Sequence, residues 1–136
     1  MREILFRGKR ISNGEWVEGG VMRAFHPNFD STAQGFAMQE PNCYCICANY
    51  TDIFVEQNTI GQYTGLKDKN GKRIFEGDIL GDGSGICVCF WDGCNVEFGV
   101  KNKELSFGIA YLHLGDYEVI GNIHDNPELL EVNHEN

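Results

Sequence analysis

Apolar and polar positions alternate with a period of two along much of this chain. The alternation is interrupted at short intervals by glycine following asparagine or aspartate. In Glu3–Arg10, Ile4 and Phe6 oppose Leu5 and Arg7, and Glu15-Trp16-Val17-Glu18 follows the dipeptide Asn13-Gly14. Ile60–Leu66 and Lys72–Leu80 flank Asn70-Gly71, while Gly85–Trp91 and Cys94–Val100 flank Asp92-Gly93. Period two marks strands. Asn-Gly or Asp-Gly between two such runs signals a two-residue hairpin turn with positive φ. Apolar runs at 43–48, 53–56, 105–112 and 117–123, rich in aromatic and β-branched residues, read as further strands. Helical spacing is not sustained over any long segment. Asn126 as N-cap, Pro127 in the first position and Glu128 facing the dipole predict one short helix over Pro127–Val132. Phe25–Asn42 holds Pro27, Gly35 and Pro41 and reads as a long loop or weak hairpin. The expected fold is mainly β (a β-rich α+β chain). It is an antiparallel meander closing toward a small β-barrel, with a short C-terminal helix.

Two of these strands are apolar on both faces. Cys43, Cys45 and Cys47 oppose Tyr44, Ile46 and Ala48; Cys87, Cys89 and Trp91 oppose Ile86, Val88 and Phe90. A sheet with one wet face would alternate with polar residues. Both strands are therefore expected to be covered on two sides, by a curled sheet or by a second subunit, which makes a homo-oligomer an expectation.

The 136 residues suit a single domain, 1–136. The net charge of −9 is unevenly spread. Residues 1–35 and 67–103 are nearly balanced. Residues 104–136 hold Glu104, Asp116, Glu118, Asp125, Glu128, Glu131 and Glu135 without any Lys or Arg. Binding to phosphates rests on Lys and Arg displacing counterions, so direct nucleic-acid binding is not expected. No apolar run is long enough to cross a membrane as a helix. The start, Met1-Arg2-Glu3-Ile4, turns polar again by Arg7 and does not read as a signal peptide. A cytoplasmic location follows as an expectation, with the six cysteines reduced.

Candidate chemistry is sparse. Cys43, Cys45, Cys47, Cys87, Cys89 and Cys94 invite a zinc reading, but ligand pairs are usually separated by two to four residues, not one. Buried packing is the favoured reading for them. Glu76 and Asp78 flank Gly77 at alternate positions and could share a cation or a proton, although a glycine bend with backbone-capping acids is the favoured reading. Gly81-Asp82-Gly83-Ser84-Gly85 lacks both the last glycine of G-x-G-x-x-G and the first of G-x-S-x-G, and reads as a loop. His26, His113, His124 and His134 are scattered, with Asp116 near His113 and Asp125 next to His124. None of Ser12, Ser31, Ser84 or Ser106 is placed to suggest a triad. No catalytic, cofactor-binding or metal-ligating residue is assigned, and no cofactor is expected.

The chain resembles the YopX protein family, encoded by phages and prophages, through several blocks that occur in order. These are Ile4–Arg10 with Gly14-Glu15-Trp16-Val17-Glu18-Gly19, Val55–Gly65 running into Leu66-Lys67-Asp68-Lys69-Asn70-Gly71, Ile74–Ile79, and Tyr117–Glu131. Phe25–Thr51 departs from the pattern. The family is one of unknown function, so the resemblance implies a cytosolic, phage-associated, β-rich accessory protein and supplies no activity or site. The expected function is a non-catalytic role through binding an unidentified host or phage protein. Two alternatives are an acidic nucleic-acid mimic inhibiting a host DNA-binding factor, and a small metal-dependent hydrolase using Glu76, Asp78 and His124.

Overall fold

A computed structural model describes residues 3–25 and 43–132. Most of the expected loop at 25–42 lies outside the described residues, as do His26, Ser31 and His134. Among the described residues the chain forms three antiparallel sheets and one short helix, and they cluster into two compact units, 3–62 and 63–132.

In the first unit, β1 (Phe6–Lys9) pairs with β2 (Trp16–Gly19) and with the first residues of β6 (Gly61–Lys67). A three-stranded meander of β3 (Val21–Phe25), β4 (Cys43–Ala48) and β5 (Thr51–Val55) completes it. Strand β3 had no signal in the sequence beyond its apolar content. Two glycines let these layers meet. A Cβ on Gly19 would stand 2.1 Å from the Cys47 carbonyl oxygen, and one on Gly8 would stand 3.0 Å from Val55. A side chain is thus absent at Gly19, where the β4 backbone comes close, and at Gly8, where the Val55 side chain fills the space. Ile46 and Cys45, on opposite faces of β4, are both 0% exposed, so the double burial expected of this strand holds at its centre. Thr59 is buried with its hydroxyl donating to the Glu56 carbonyl and accepting the Lys9 N–H at 2.8 Å.

In the second unit, the rest of β6 pairs with β7 (Arg73–Phe75). A five-stranded sheet runs in the order β11 (Ser106–Gly108), β10 (Glu97–Lys101), β9 (Ile86–Asp92), β8 (Asp78–Gly81), β12 (Glu118–Asn122). Its core gathers Ile74, Leu80, Cys87, Cys89, Val100 and Ile109. On β9 the cysteine face is buried at Cys87 and Cys89 while Ile86, Val88 and Phe90 are half-buried, so only one face of this strand is fully covered. Among the described residues the expected closure into a barrel is not found: there β11 pairs only with β10 and β12 only with β8, so the sheet stays open at both ends. The apolar run 105–112 makes only the short β11 before a 3-10 turn at Ile109–Tyr111. The helix α1 (Glu128–Val132) starts one residue later than expected. The Asn126 side chain reaches back to accept the Asn122 N–H at the end of β12.

All three glycine dipeptides lie in hairpin loops, but none is a two-residue turn. The left-handed residues are Gly14, two positions before β2, Gly71, two positions before β7, and Val96, immediately before β10. The loops are longer because an Asx side chain sets each one. Asn13 accepts the Glu15 N–H, Asp68 those of Asn70 and Lys72, and Asp92 those of Cys94 and Asn95. The two-residue turn with two positive φ angles is instead Asn49-Tyr50 between β4 and β5, at +52° and +63°.

Replacing Gly19 by alanine is expected to destabilise the chain by about 3 kcal/mol, because the new methyl meets backbone that cannot swing aside. Gly20→Ala, whose Cβ would stand 3.5 Å from its nearest neighbour, should change stability by less than about 0.5 kcal/mol. Denaturant unfolding of the two variants checks the contrast.

Candidate functional site

The second unit carries the most polar chemistry, arranged at two places. The first is the hairpin loop at Asp68. This carboxylate is 7% exposed, yet three backbone donors meet it: Asn70 N–H and Lys72 N–H on Oδ1, both at 2.9 Å, and Val119 N–H on Oδ2, also at 2.9 Å. Burial pushes its pKa up, but the bonds from Val119, Lys72 and Asn70, aided by the Lys72 charge, outweigh it and hold the pKa below the usual aspartate value. Beside it, Lys69 N–H donates to the Tyr117 carbonyl and the Asn70 amide to Glu118. An aspartate two residues before Asn-Gly is a readable cue for such an Asx turn. Its tie to β12, fifty-one residues on, is not readable.

The Gly77 corner lies between β7 and β8. Gly77 has a φ of +89°, donates to the Cys89 carbonyl and accepts from Ile123 N–H. Asp78 is fully buried and its Oδ2 accepts the Phe75 N–H at 2.7 Å. Glu76 and His124 lie close by, the His124 ring 3.7 Å from where a Gly77 Cβ would stand. The corner therefore brings the residues of the hydrolase reading into one neighbourhood, with the Asp78 carboxylate engaged in capping local backbone. No group of three His, Cys, Asp or Glu side chains that could hold a metal ion occurs among the described residues.

The second polar place is a cleft of about 150 Å³ behind the 82–85 loop, with Cys87 and Val100 on its apolar side. Asp82 Oδ1 accepts Ser84 N–H, Ser84 Oγ–H and Gly85 N–H, all at 2.9 Å. Those bonds hold Asp82 below the usual carboxylate range. Tyr117 lines the same cleft, and burial followed by the Asp82 charge pushes its phenol up. Burial and then Asp82 push the Cys87 thiol up to about 11. Burial first, then Asp52, raises Cys45 also. Asp92 is lowered by its bonds from Asn95 and Cys94. Each of these shifts moves its group away from neutrality.

The remaining candidates are spread out. Cys43, Cys45 and Cys47 lie on β4 and Cys87 and Cys89 on β9, in different sheets, and Cys94 is exposed in the β9–β10 loop. His113 Nδ1 meets Asp116 Oδ2 at 3.0 Å on an exposed surface. Asp125 accepts from the Asn122 amide.

Comparison with known proteins places this geometry in context. A family model described as YopX protein matches residues 5–131, running through both units. A solved structure, the crystal structure of protein EF1440 from Enterococcus faecalis, is similar with a TM-score of 0.53 and 28% sequence identity, over 96% of this chain and 99% of that one. No curated protein matches the chain.

Two outcomes follow. The depressed pKa of Asp68 means that its stabilisation is complete above the unfolded aspartate value of about 3.9 and is lost as pH falls through the lower folded value. Asp68→Asn turns an NH₂ toward one of the three N–H donors. It should cost about 2 kcal/mol near neutrality, a difference that shrinks in strong acid when unfolding free energies are compared across pH. In the folded protein, iodoacetamide should label Cys94 quickly and Cys45, Cys87 and Cys89 only on unfolding, read by peptide mass mapping.

Proposed function

Since this chain belongs to the YopX family, we propose that it is a phage- or prophage-encoded accessory protein that acts in the cytoplasm by binding another protein, without catalysing a reaction. The observation that carries this reading is the end of the β9–β10 hairpin. There Trp91 stays 46% exposed while packed edge-on against Phe98 at 5.1 Å. Val96, 72% exposed, holds a φ of +54° that a β-branched residue enters at a cost of about 1–2 kcal/mol. Strain and apolar exposure kept together on an ordered turn suit a contact surface better than a stability device. A rigid, half-exposed tryptophan is the residue type that most often anchors an interface.

The charge pattern supports the same reading. Glu104, Asp116, Asp125, Glu128 and Glu131 are exposed in the stretch without basic residues, which suits a partner with a basic face. The protonation states around the Asp82 cleft support a non-catalytic role, since none of the shifted groups is poised to exchange a proton near neutral pH.

The test compares wild-type and Trp91→Ser chains as baits in lysate from a prophage-carrying bacterium, with any captured protein then purified and its affinity measured. A partner whose affinity falls about 30-fold on Trp91→Ser, a loss of about 2 kcal/mol, and falls again at high salt is the expected result. Equal capture by both baits, or nothing beyond the bare resin, overturns the reading.

A further inference from the structure

The chain contains two Asn-Gly dipeptides, Asn13-Gly14 and Asn70-Gly71, and the fold treats them differently. We propose that Asn13 is a site of spontaneous deamidation in the folded protein, and that the Asp68 loop protects Asn70 from the same reaction.

The chemistry needs no cofactor. The Gly14 backbone nitrogen gives up its proton to solvent base and bonds to the Asn13 side-chain carbon. The carbon–Nδ2 bond breaks and the amide nitrogen leaves as ammonia. The five-membered succinimide then takes up one water molecule and opens at either carbonyl, leaving aspartate or isoaspartate. Glycine in the second position exposes the attacking nitrogen, because it has no Cβ to shield it.

At Asn13 the geometry favours attack. Asn13 and Gly14 are both exposed, and a Cβ on Gly14 would meet nothing within 4 Å. Glu15 N–H donates to Asn13 Oδ1 at 3.0 Å, which draws charge from the side-chain carbon and steadies the oxyanion that forms there. One bond holds the attacking nitrogen, from Gly14 N–H to the Arg10 carbonyl at 2.8 Å. Opening it frees only an exposed loop tip, and such tips open at low cost.

At Asn70 the same step is opposed several times over. The leaving Nδ2 is held by Glu118 Oε2 at 3.2 Å, and the Asn70 N–H by Asp68 Oδ1 at 2.9 Å. Gly71 N–H donates to the Asp68 carbonyl at 3.0 Å. Two carboxylates therefore bond to Asn70, next to the Gly71 nitrogen that must become an anion, and like charge nearby opposes its ionisation. Loosening this loop also strains the bond from Val119 N–H to Asp68 that ties the hairpin to β12.

The products differ as well. Aspartate at 13 still offers an oxygen to Glu15 N–H, whereas isoaspartate adds a backbone atom to the β1–β2 loop, two strands that carry Gly8 and Gly19. The experiment incubates the full-length chain in mildly alkaline buffer at body temperature, native and in denaturant, and follows both sites by peptide mass mapping with an isoaspartate assay. In the native protein Asn13 should convert at least about tenfold faster than Asn70, the ratio one hydrogen-bonded opening supplies. In denaturant the two should converge, since the local sequences then count alone. Glu118→Ala, which removes a surface bond, should raise the Asn70 rate in the native protein. Equal native rates at the two sites, or no conversion at Asn13 in native protein while denatured protein converts, overturns the proposal. An unchanged Asn70 rate in Glu118→Ala overturns the protection assigned to that contact.

Discussion

A carboxylate taken out of water organises the second unit. Removing an ionised aspartate from solvent costs several kcal/mol unless donors replace the lost hydration. Asp68 finds those donors in three backbone N–H groups, two from its own hairpin loop and one from β12. The loop conformation and the position of β12 are thus conditions for each other. The polypeptide between them contributes β7 to β11, so the carboxylate closes a long stretch of chain around the core of Leu80, Cys87, Cys89 and Val100.

The first unit rests on a different constraint, one of empty space. Gly8 and Gly19 sit on strands that face the β3–β5 meander, and the Cys47 carbonyl occupies the place where a Gly19 side chain would be. Close approach of this kind leaves no polar signature. In the sequence Gly19 is one glycine after an ordinary strand run, followed by a second at Gly20. Only packing against β4 distinguishes the two residues.

Much of the architecture was legible, for local reasons. Alternating and apolar runs located β1, β4 to β6, β9 and β10 within a few residues, because strand preference is local. Lys72–Leu80, read as one strand, is instead divided into β7 and β8 by the Gly77 corner. The loops were found but mistyped, since Asx side chains compete with the glycine rule: Asp92 draws two N–H groups forward and leaves Val96, not Gly93, in the left-handed position. Strand β3 escaped because Val21–Phe25 borders a segment without periodicity. The candidate site was less legible still. Asp82 was readable as a loop residue, but Tyr117, which lines the same cleft, lies thirty-five positions away and is brought there by the pairing of β12 with β8.

Strand β8 is buried at all four of its positions. A strand with one wet face has its alignment specified by which side chains must stay dry, and a slip by one residue exposes the wrong set. Asp78–Gly81 has no such guide, because either alignment would bury every residue. Its register must come from its ends. The Gly77 N–H and carbonyl, bonded to Cys89 and Ile123, act as a fixed origin from which the pairings Ile79 to Val88 and Ile79 to Gly121 are counted. Alignment in the middle of the sheet is therefore held by a corner outside it. A residue added at Glu76-Gly77 would move that origin and, with it, the alignment of β8 on both of its neighbours.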